Sequence, residues 1–347
     1  MTDRIKRPKR ILIVNVNWLG DVLFSTAAIR ALRRRYPDAY LACMLVPRAK
    51  QILEDNPRLN EIIVYDEKGR HRGVIGKLRF IFFLKKKRFD IVFLFQRSFT
   101  RLLLCFLAGI PQRVGYYRKK GGFLLTKKVA PAVGRIHRAE YFLRIAGEAE
   151  GAADNRGCEF FIAEEAEISM KKFLEARKVK KDNLLAVINP GGNWNLKRWP
   201  AERFARLADE LIKRYSMKVI ISGGPADVRL AEEIKKMMDC SPIVSCGRTN
   251  LKELAALLKF SDLVISADSG PLHITVAVGT PAIALFGPTS SDITGPFTGK
   301  TPYTVIQKDV GCEVPCYNLD CPENRCMKAI TVDDVFEAAK KLIRKLR

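Results

Sequence analysis

Three loops in the second half of the 347-residue chain carry residue types suited to binding a phosphate group. They span residues 189–200, 222–227 and 267–271, and each follows an apolar run typical of a buried parallel strand. Loops that follow parallel strands share one edge of the sheet, so their amides and one lysine can converge on a phosphate-sized volume. The converging candidates are Gly191, Gly192, Asn193, Lys197, Ser269 and Gly270.

The third loop has the clearest local pattern. A strand over residues 263–266 is followed by the turn Asp268-Ser269-Gly270, and Pro271 then begins a helix that runs to about Val278. Gly270 permits close approach of a ligand, Ser269 can cap the helix, and the positive end of the helix dipole lies behind the free amides. An ordinary capped turn between a strand and a helix explains the same pattern equally well.

Three charged side chains near such turns can take part in chemistry. Lys197 can stabilise negative charge on a departing diphosphate, although a solvated loop lysine is the commoner case. Asp227 either accepts hydrogen bonds from ribose hydroxyls or caps its own helix. Asp21 follows the first strand and either takes a proton from an acceptor hydroxyl or caps the next helix.

Strand and helix patterns alternate through both halves and position these loops. In the first half, strands are predicted at 10–16, 41–46, 61–65, 90–95 and 113–116. One helix is predicted after the first strand, ending near residue 35, and further helices are predicted at 47–56, 73–88, 100–107 and 137–145. The second half predicts strands at 184–189, 218–222, 242–245, 263–266 and 282–286, and helices at 164–177, 201–215, 226–238, 251–260, 271–278 and 333–346. A polar, Gly-rich linker is expected at 148–157.

The predicted fold is therefore α/β, with two doubly wound Rossmann-like domains, residues 1–160 and 161–347, facing each other across a cleft. No G-x-G-x-x-G follows either first strand, which argues against a dinucleotide site.

Charge is distributed unevenly along the chain. The net charge is +24, of which residues 1–150 contribute +20 with 32 basic and 12 acidic side chains. The first half should therefore meet nucleic acid, an anionic membrane surface or an acidic substrate such as a phosphorylated glycolipid. No nucleic-acid-binding motif is present and the basic residues are scattered over several elements, so we expect no nucleic-acid partner.

Composition also bears on location. No apolar run is long enough to span a bilayer. The basic amino-terminal stretch followed by residues 11–14 superficially resembles a signal peptide, but Asn15, Asn17 and Asp21 interrupt the apolar region. We therefore expect a buried first strand and a cytoplasmic protein.

The nine cysteines form two groups. Cys43, Cys105, Cys158, Cys240 and Cys246 lie singly in apolar surroundings, as reduced core thiols do. Cys312, Cys316, Cys321 and Cys326 form a C-x3-C-x4-C-x4-C loop that either holds a structural zinc ion or iron–sulfur cluster, or consists of unligated thiols. In every case the loop is structural, and no cofactor is expected to be required for catalysis.

Taken together, these motifs resemble glycosyltransferase family 9, the ADP-heptose:lipopolysaccharide heptosyltransferases. The resemblance covers nearly the whole chain, through residues 17–26, 189–192 with 197–200, 222–225, and 268–273 with 286–290. It implies a GT-B fold, with an acceptor-binding first domain and an ADP-sugar-binding second domain. It also implies metal-independent transfer with inversion at the anomeric carbon.

The resemblance assigns roles to single residues. Asp21 would be the general base and Lys197 would contact the diphosphate, while Gly192, Asn193, Ser269 and Gly270 would line the phosphate site. Asp227 would hold the ribose, Thr249 and Asn250 would lie against adenine, and Asp268 would face the donor sugar. His273 would support the phosphate loop or touch the donor, although a structural histidine fits equally well.

The family's acceptor is an anionic lipopolysaccharide precursor on a membrane-anchored lipid, which gives the basic first half a purpose. The acceptor-binding candidates are Arg97, Arg113, Arg118, Lys119, Lys120 and Arg138. We therefore expect a cytoplasmic enzyme, peripheral on the inner membrane, that moves L-glycero-D-manno-heptose from ADP-heptose to a core hydroxyl. The alternatives are a transferase of the same family that uses another nucleotide sugar, and a non-catalytic protein that binds an anionic surface or nucleic acid.

Overall fold

The computed structural model describes residues 8–132, 134–147, 157–318 and 320–345. The chain divides into two units, Met1–Glu159 and Phe160–Arg347, next to the boundary expected from the sequence. The linker expected at 148–157 lies almost entirely outside the described residues. Each unit contains one six-stranded parallel sheet, which confirms the predicted α/β class.

Unit 1 alternates strands and helices, except that a 3-10 turn at Gly122–Leu124 connects its last two strands. Its strands are β1 Arg10–Val14, β2 Tyr40–Leu45, β3 Glu61–Val64, β4 Ile91–Leu94, β5 Gln112–Tyr116 and β6 Lys127–Val129. Its helices are α1 Leu19–Arg35, α2 Lys50–Leu53, α3 Gly73–Lys86, α4 Phe99–Leu107 and α5 Arg138–Ile145. The sheet order is β3-β2-β1-β4-β5-β6, with all neighbours parallel.

Unit 2 repeats this architecture. Its strands are β7 Leu185–Asn189, β8 Lys218–Ile221, β9 Ile243–Val244, β10 Leu263–Ala267, β11 Ala282–Phe286 and β12 Tyr303–Gln307. Its helices are α6 Glu164–Glu175, α7 Ala201–Tyr215, α8 Val228–Met237, α9 Leu251–Lys259, α10 Gly270–Ala277, α11 Ser291–Thr294, α12 Arg325–Lys328 and α13 Val332–Ile343. The sheet order is β12-β11-β10-β7-β8-β9, again all parallel.

The central strands are apolar along almost their whole length because helices cover both faces of each sheet. Every residue of β4, β7, β10 and β11 is buried. This burial explains why continuous apolar runs, rather than alternating patterns, marked these strands in the sequence.

The edge strands β6 and β12 were not predicted. The two lysines of β6 are exposed, and β12 is only partly buried, so neither segment has the apolar signal of a central strand. The helix expected at 47–56 is a 3-10 turn at Pro47–Ala49 followed by α2. Among the described residues, no helix has both the length and the apolar character needed to cross a bilayer.

Candidate donor and acceptor sites

The strand order places the predicted phosphate loops together within unit 2. The chain passes from β7 to β8 on one side and returns to β10 on the other, so the order reverses between β7 and β10. The loops after these two neighbouring strands, residues 189–200 and 267–271, therefore flank one crevice at the carboxyl edge of the sheet. Phosphate groups bind in such crevices because a helix beginning there, here α10, leaves its first amides without intrahelical acceptors.

Lys197, Asp268 and His273 form a network at this crevice. The Nζ of Lys197 lies 2.7 Å from Oδ2 of Asp268, and Nε2 of His273 lies 3.4 Å from the other carboxylate oxygen. Thr294, which the sequence did not single out, donates its hydroxyl to Oδ2 over 3.3 Å. Asp268 and His273 are buried, whereas Lys197 keeps about a quarter of its side chain exposed at 24%.

This network keeps Asp268 ionised. Burial alone raises the pKa of Asp268, but the contacts with His273 and Lys197 hold that pKa well below the usual range of an aspartate. Both carboxylate oxygens contact protein groups, and contact with the donor sugar stays a prediction. His273 lies in the first turn of α10 and braces the phosphate loop through Asp268, in agreement with its structural interpretation.

Ser269 differs from its predicted local role. It occupies the N-cap position of α10, but its side chain makes no capping hydrogen bond. Its hydroxyl instead pairs with the Oγ of Ser266 at 3.1 Å and accepts from Nδ2 of Asn189 at 3.3 Å. The hydroxyl therefore ties the β10 loop to the end of β7, and the expectation that Ser269 caps its helix was wrong.

The glycines of the 189–200 loop differ in their surroundings. A Cβ on Gly191 would lie 2.4 Å from the carboxylate carbon of Asp227, so a larger residue there would have to displace that carboxylate. A Cβ on Gly192 would meet nothing within 4 Å, which leaves open space beside its backbone. Arg198, a residue of the K-R-W-P motif without a predicted role, donates to the Gly192 carbonyl at 2.8 Å and pairs with Asp227 at 3.4 Å.

Asp227 and Asn250 both make the local contacts of helix starts. Asp227 accepts from the Gly224 amide at 3.0 Å in the 3-10 turn before α8. Asn250 caps α9 by accepting from the amides of Lys252 and Glu253. Asp227 stands at the N-cap of α8, but its side chain makes no capping hydrogen bond to that helix, so the expectation that it caps its own helix was wrong. Contacts of Asp227 with ribose and of Thr249 and Asn250 with adenine stay predictions, as does a phosphate contact for Asn193.

In unit 1, Asp21 is the third residue of α1 and not its N-cap, because the helix begins at Leu19 with Trp18 at the N-cap position. Its two carboxylate oxygens accept from Nε and Nη2 of Arg138 at 3.2 and 3.3 Å. This two-point ion pair fixes the orientation of the carboxylate. Arg138 therefore holds Asp21, and its predicted contact with the acceptor remains untested.

Among the other predicted acceptor cations, Arg113 contacts the backbone at one end of its own strand, whereas the other four lie in or contact the loop that follows this strand. Arg113 donates to the backbone carbonyls of Leu124, at 2.6 Å, Ile110 and Pro111, and so braces the end of β5. Arg97 is exposed and donates to the Tyr117 carbonyl at 3.0 Å. Arg118 donates to the Lys120 carbonyl, and its pKa is lowered by burial and by the neighbouring Arg97 charge. Lys119 and Lys120 are exposed on the same loop.

Arg101 was missed by the sequence analysis. It is almost fully buried at 1% exposure, and it donates to the Asn15 carbonyl at 2.9 Å and to Oδ1 of Asn17 at 2.8 Å. These bonds hold the loop between β1 and α1, and α1 carries Asp21. The available signal was a lone arginine in an otherwise apolar helix, where burial requires hydrogen-bond partners.

The cysteines occupy two environments. Cys43, Cys105, Cys158 and Cys246 are buried as predicted, and burial raises the pKa of each thiol to about 12. Cys240 is only partly buried.

The four cysteines of the loop line one cavity of about 310 Å³. Nevertheless, among the described residues no three His, Cys, Asp or Glu side chains are arranged to hold a metal ion. A structural metal at Cys312, Cys316, Cys321 and Cys326 stays a prediction, which elemental analysis of the purified protein tests.

The model of glycosyltransferase family 9 (heptosyltransferase) matches residues 78–325. Lipopolysaccharide heptosyltransferase 2 of Escherichia coli K12 is 27% identical over 302 residues, which cover 84% of this chain and 86% of that enzyme.

Solved structures of similar proteins have the same fold as this chain. A glycosyl transferase family 9 protein from Veillonella parvula DSM 2008 superposes with a TM-score of 0.89 at 27% identity, covering 97% of this chain and 98% of that one. The ADP-heptose lipopolysaccharide heptosyltransferase II of E. coli has a TM-score of 0.78 at 23% identity, with coverage of 97% and 99%, and supports the shared fold.

Proposed function

Because the chain belongs to glycosyltransferase family 9, we propose that it transfers a heptose from ADP-heptose to a hydroxyl of the lipopolysaccharide inner core. The family membership confirms the prediction made from the motifs. The proposal is supported by the names of the relatives, which are lipopolysaccharide heptosyltransferases. Unit 2 would bind the donor and unit 1 the acceptor.

The observation that carries the donor assignment is the crevice between β7 and β10. It joins the first amides of α10 to one partly exposed ammonium, that of Lys197, which Asp268 holds at 2.7 Å. These groups suit a diphosphate, whose negative charge grows as the sugar departs. In the proposed role, Asp268 positions the Lys197 ammonium, and that ammonium and the amides stabilise the ADP leaving group.

The reaction needs a proton acceptor for the attacking hydroxyl. In our proposal, the acceptor oxygen forms a bond to the anomeric carbon of the heptose while the bond between that carbon and the phosphate oxygen breaks. ADP leaves with the electron pair, the carbon inverts, and Asp21 takes the proton. Arg138 supports this role by holding the Asp21 carboxylate at both oxygens. The transfer uses no metal ion.

The acceptor assignment is supported by charge. The first 150 residues contribute +20 of the net charge of +24, which suits a phosphorylated and carboxylated glycolipid on an anionic membrane surface. We therefore propose a cytoplasmic enzyme that associates peripherally with the inner membrane. Arg97, Arg118, Lys119 and Lys120 are the proposed acceptor contacts.

Substitution of Asp21 tests the mechanism. We expect Asp21→Asn to bind ADP as the wild type does and to lose about a hundred- to ten-thousand-fold in turnover, the range for loss of a general base. Mass spectrometry of products from ADP-heptose and defined core precursors measures the transfer, and Asp38→Asn on the exposed surface of unit 1 is the control. Turnover of Asp21→Asn at the control's rate would remove Asp21 from this role.

Nucleotide binding distinguishes the proposed use of ADP-heptose from the main alternative, a family member that uses another nucleotide sugar. The same phosphate crevice would serve either donor, and only the contacts to base and sugar would differ. We expect calorimetry to detect ADP binding that is tighter than binding of UDP or GDP. Preference for UDP or GDP would replace the donor in the proposal and leave the phosphate site intact.

A further inference from the structure

The outer face of α3 carries an unusual group of exposed apolar side chains. Its five members have exposed fractions from 40% for Phe83 to 74% for Val74, and they are Val74, Ile75, Leu78, Phe82 and Phe83. No other helix or strand of the described chain exposes more than two large apolar side chains. Contiguous exposed apolar surface of this kind marks a binding surface more often than a solvated one.

The helix has two apolar sides, and only one of them belongs to the core. Gly76, Phe80 and Leu84 recur every four residues and are buried, and Phe80 and Leu84 pack into the unit 1 core. Val74, Leu78 and Phe82 recur at the same spacing on the opposite side of the helix. Unit 1 therefore uses the inner side for folding, and no described residue covers the outer side.

Positive charge surrounds this outer face. Residues 68–88 contain nine lysines and arginines and no aspartate or glutamate. Arg79, Lys85 and Lys86 are exposed on the outer half of the helix, beside the apolar stripe. Their long apolar stems can lie along an apolar phase while the charged ends reach anionic groups.

We propose that the outer face of α3 docks on an anionic lipid bilayer, with the helix lying in the plane of the membrane interface. The apolar stripe would enter the boundary between headgroups and acyl chains, and Arg79, Lys85 and Lys86 would contact lipid phosphates. With 14 residues the helix is about 21 Å long, too short for the roughly 30 Å hydrocarbon core, so it lies on the bilayer.

Charge favours lipid over a second copy of the chain as the occupant. Two copies meeting through α3 would bring two sets of nine positive charges together, and these charges would repel. An anionic bilayer offers the opposite charge along the same face. The inference rests on the proposed peripheral membrane association and names the surface responsible for it.

Vesicle flotation tests the surface directly. The full chain is mixed with vesicles of phosphatidylethanolamine and phosphatidylglycerol, and with vesicles of phosphatidylcholine alone. We expect binding to the anionic vesicles, and about 30-fold weaker partitioning for Leu78→Gln with Phe82→Gln, because two half-exposed apolar side chains no longer enter the bilayer. The control, Ile168→Gln with Met237→Gln, removes two exposed apolar side chains from unit 2 and should bind as the wild type does.

A second variant reports insertion by gain of signal. The fluorescence of Phe82→Trp should be quenched by brominated acyl chains more strongly than that of Met237→Trp. The proposal would be overturned if the α3 double variant bound anionic vesicles as the wild type does. It would also be overturned if tryptophan at positions 82 and 237 were quenched equally. If the wild type is a dimer and the α3 double variant is a monomer with unchanged vesicle binding, the face contacts a second copy of the chain. That result would also overturn the proposal.

The outcome is distinguishable from failure of the proposed function. Transfer to a lipid-free core oligosaccharide does not need membrane docking, so the α3 double variant should keep wild-type turnover with that acceptor. If neither the wild type nor any variant turns over any acceptor while the flotation results are as expected, the transferase proposal fails and the membrane-docking proposal is retained.

Discussion

Replacement of Asp268 by asparagine should destabilise unit 2 because Asp268 joins the phosphate loop to Lys197. The substitution keeps the side-chain volume but removes the charge that faces Lys197 at 2.7 Å and His273 at 3.4 Å. Both partners then remain at a site where water is largely excluded.

The magnitude follows from the burial of the pair. Removing one partner of a buried ion pair costs about 3–5 kcal/mol. Since Lys197 keeps 24% of its side chain exposed, it regains some hydration, and we expect the lower end, about 3 kcal/mol. For a unit of this size the midpoint temperature of unfolding, Tm, should fall by about 6–12 °C.

Calorimetric unfolding measures this shift, and the chain contains a matched control. Lys213 and Asp239 are also 2.7 Å apart, but both side chains are exposed, at 52% and 76%. Asp239→Asn should leave Tm unchanged, because solvent and salt screen exposed pairs. Equal shifts for Asp268→Asn and Asp239→Asn would refute the assignment of Asp268 as a buried structural anion.

The pH dependence gives a second test of the same substitution. The pKa of Asp268 in the folded protein lies below its value in the unfolded chain, about 3.9. Its stabilisation is therefore fully present above that unfolded value and is lost as the pH falls through the folded-state pKa. The difference in Tm between the wild type and Asp268→Asn should be constant near neutrality and narrow below about pH 4.

Two further predictions concern unit 1 and the cysteines. Arg113→Gln should lower Tm without changing the KM for the acceptor, since the Arg113 guanidinium donates to backbone carbonyls. Lys119→Gln should raise the KM for the acceptor and leave Tm unchanged, because Lys119 is exposed. Steady-state kinetics and thermal unfolding compare the two variants, and the reverse pattern would exchange their roles. A thiol reagent at neutral pH should label exposed Cys312 rapidly and Cys43 only after unfolding, because burial raises the pKa of Cys43 to about 12. Labelling of Cys43 in the native protein, followed by peptide mass spectrometry, would contradict its core position.

Local patterns were sufficient to predict most of the architecture. Ala201–Tyr215 and Ala282–Phe286 have the bounds expected from the sequence, because an amphipathic helix and a continuous apolar run are both signals carried by neighbouring residues. The strands β6 and β12 lack that signal. They exist because the neighbouring strand, β5 or β11, offers unpaired backbone groups at the edge of its sheet.

The amino-acid sequence was enough to predict the alternation of strands and helices, the loops suited to phosphate, the excess of positive charge in the first half and the family resemblance. The partner of each charged group, in contrast, became known only from the folded chain. Asp268 meets Lys197 across 71 residues, and Asp21 meets Arg138 across 117 residues. No local pattern encodes such pairs, because the distance between their side chains depends on how whole strands and helices pack, and the sheet order alone brings the β7 and β10 loops together.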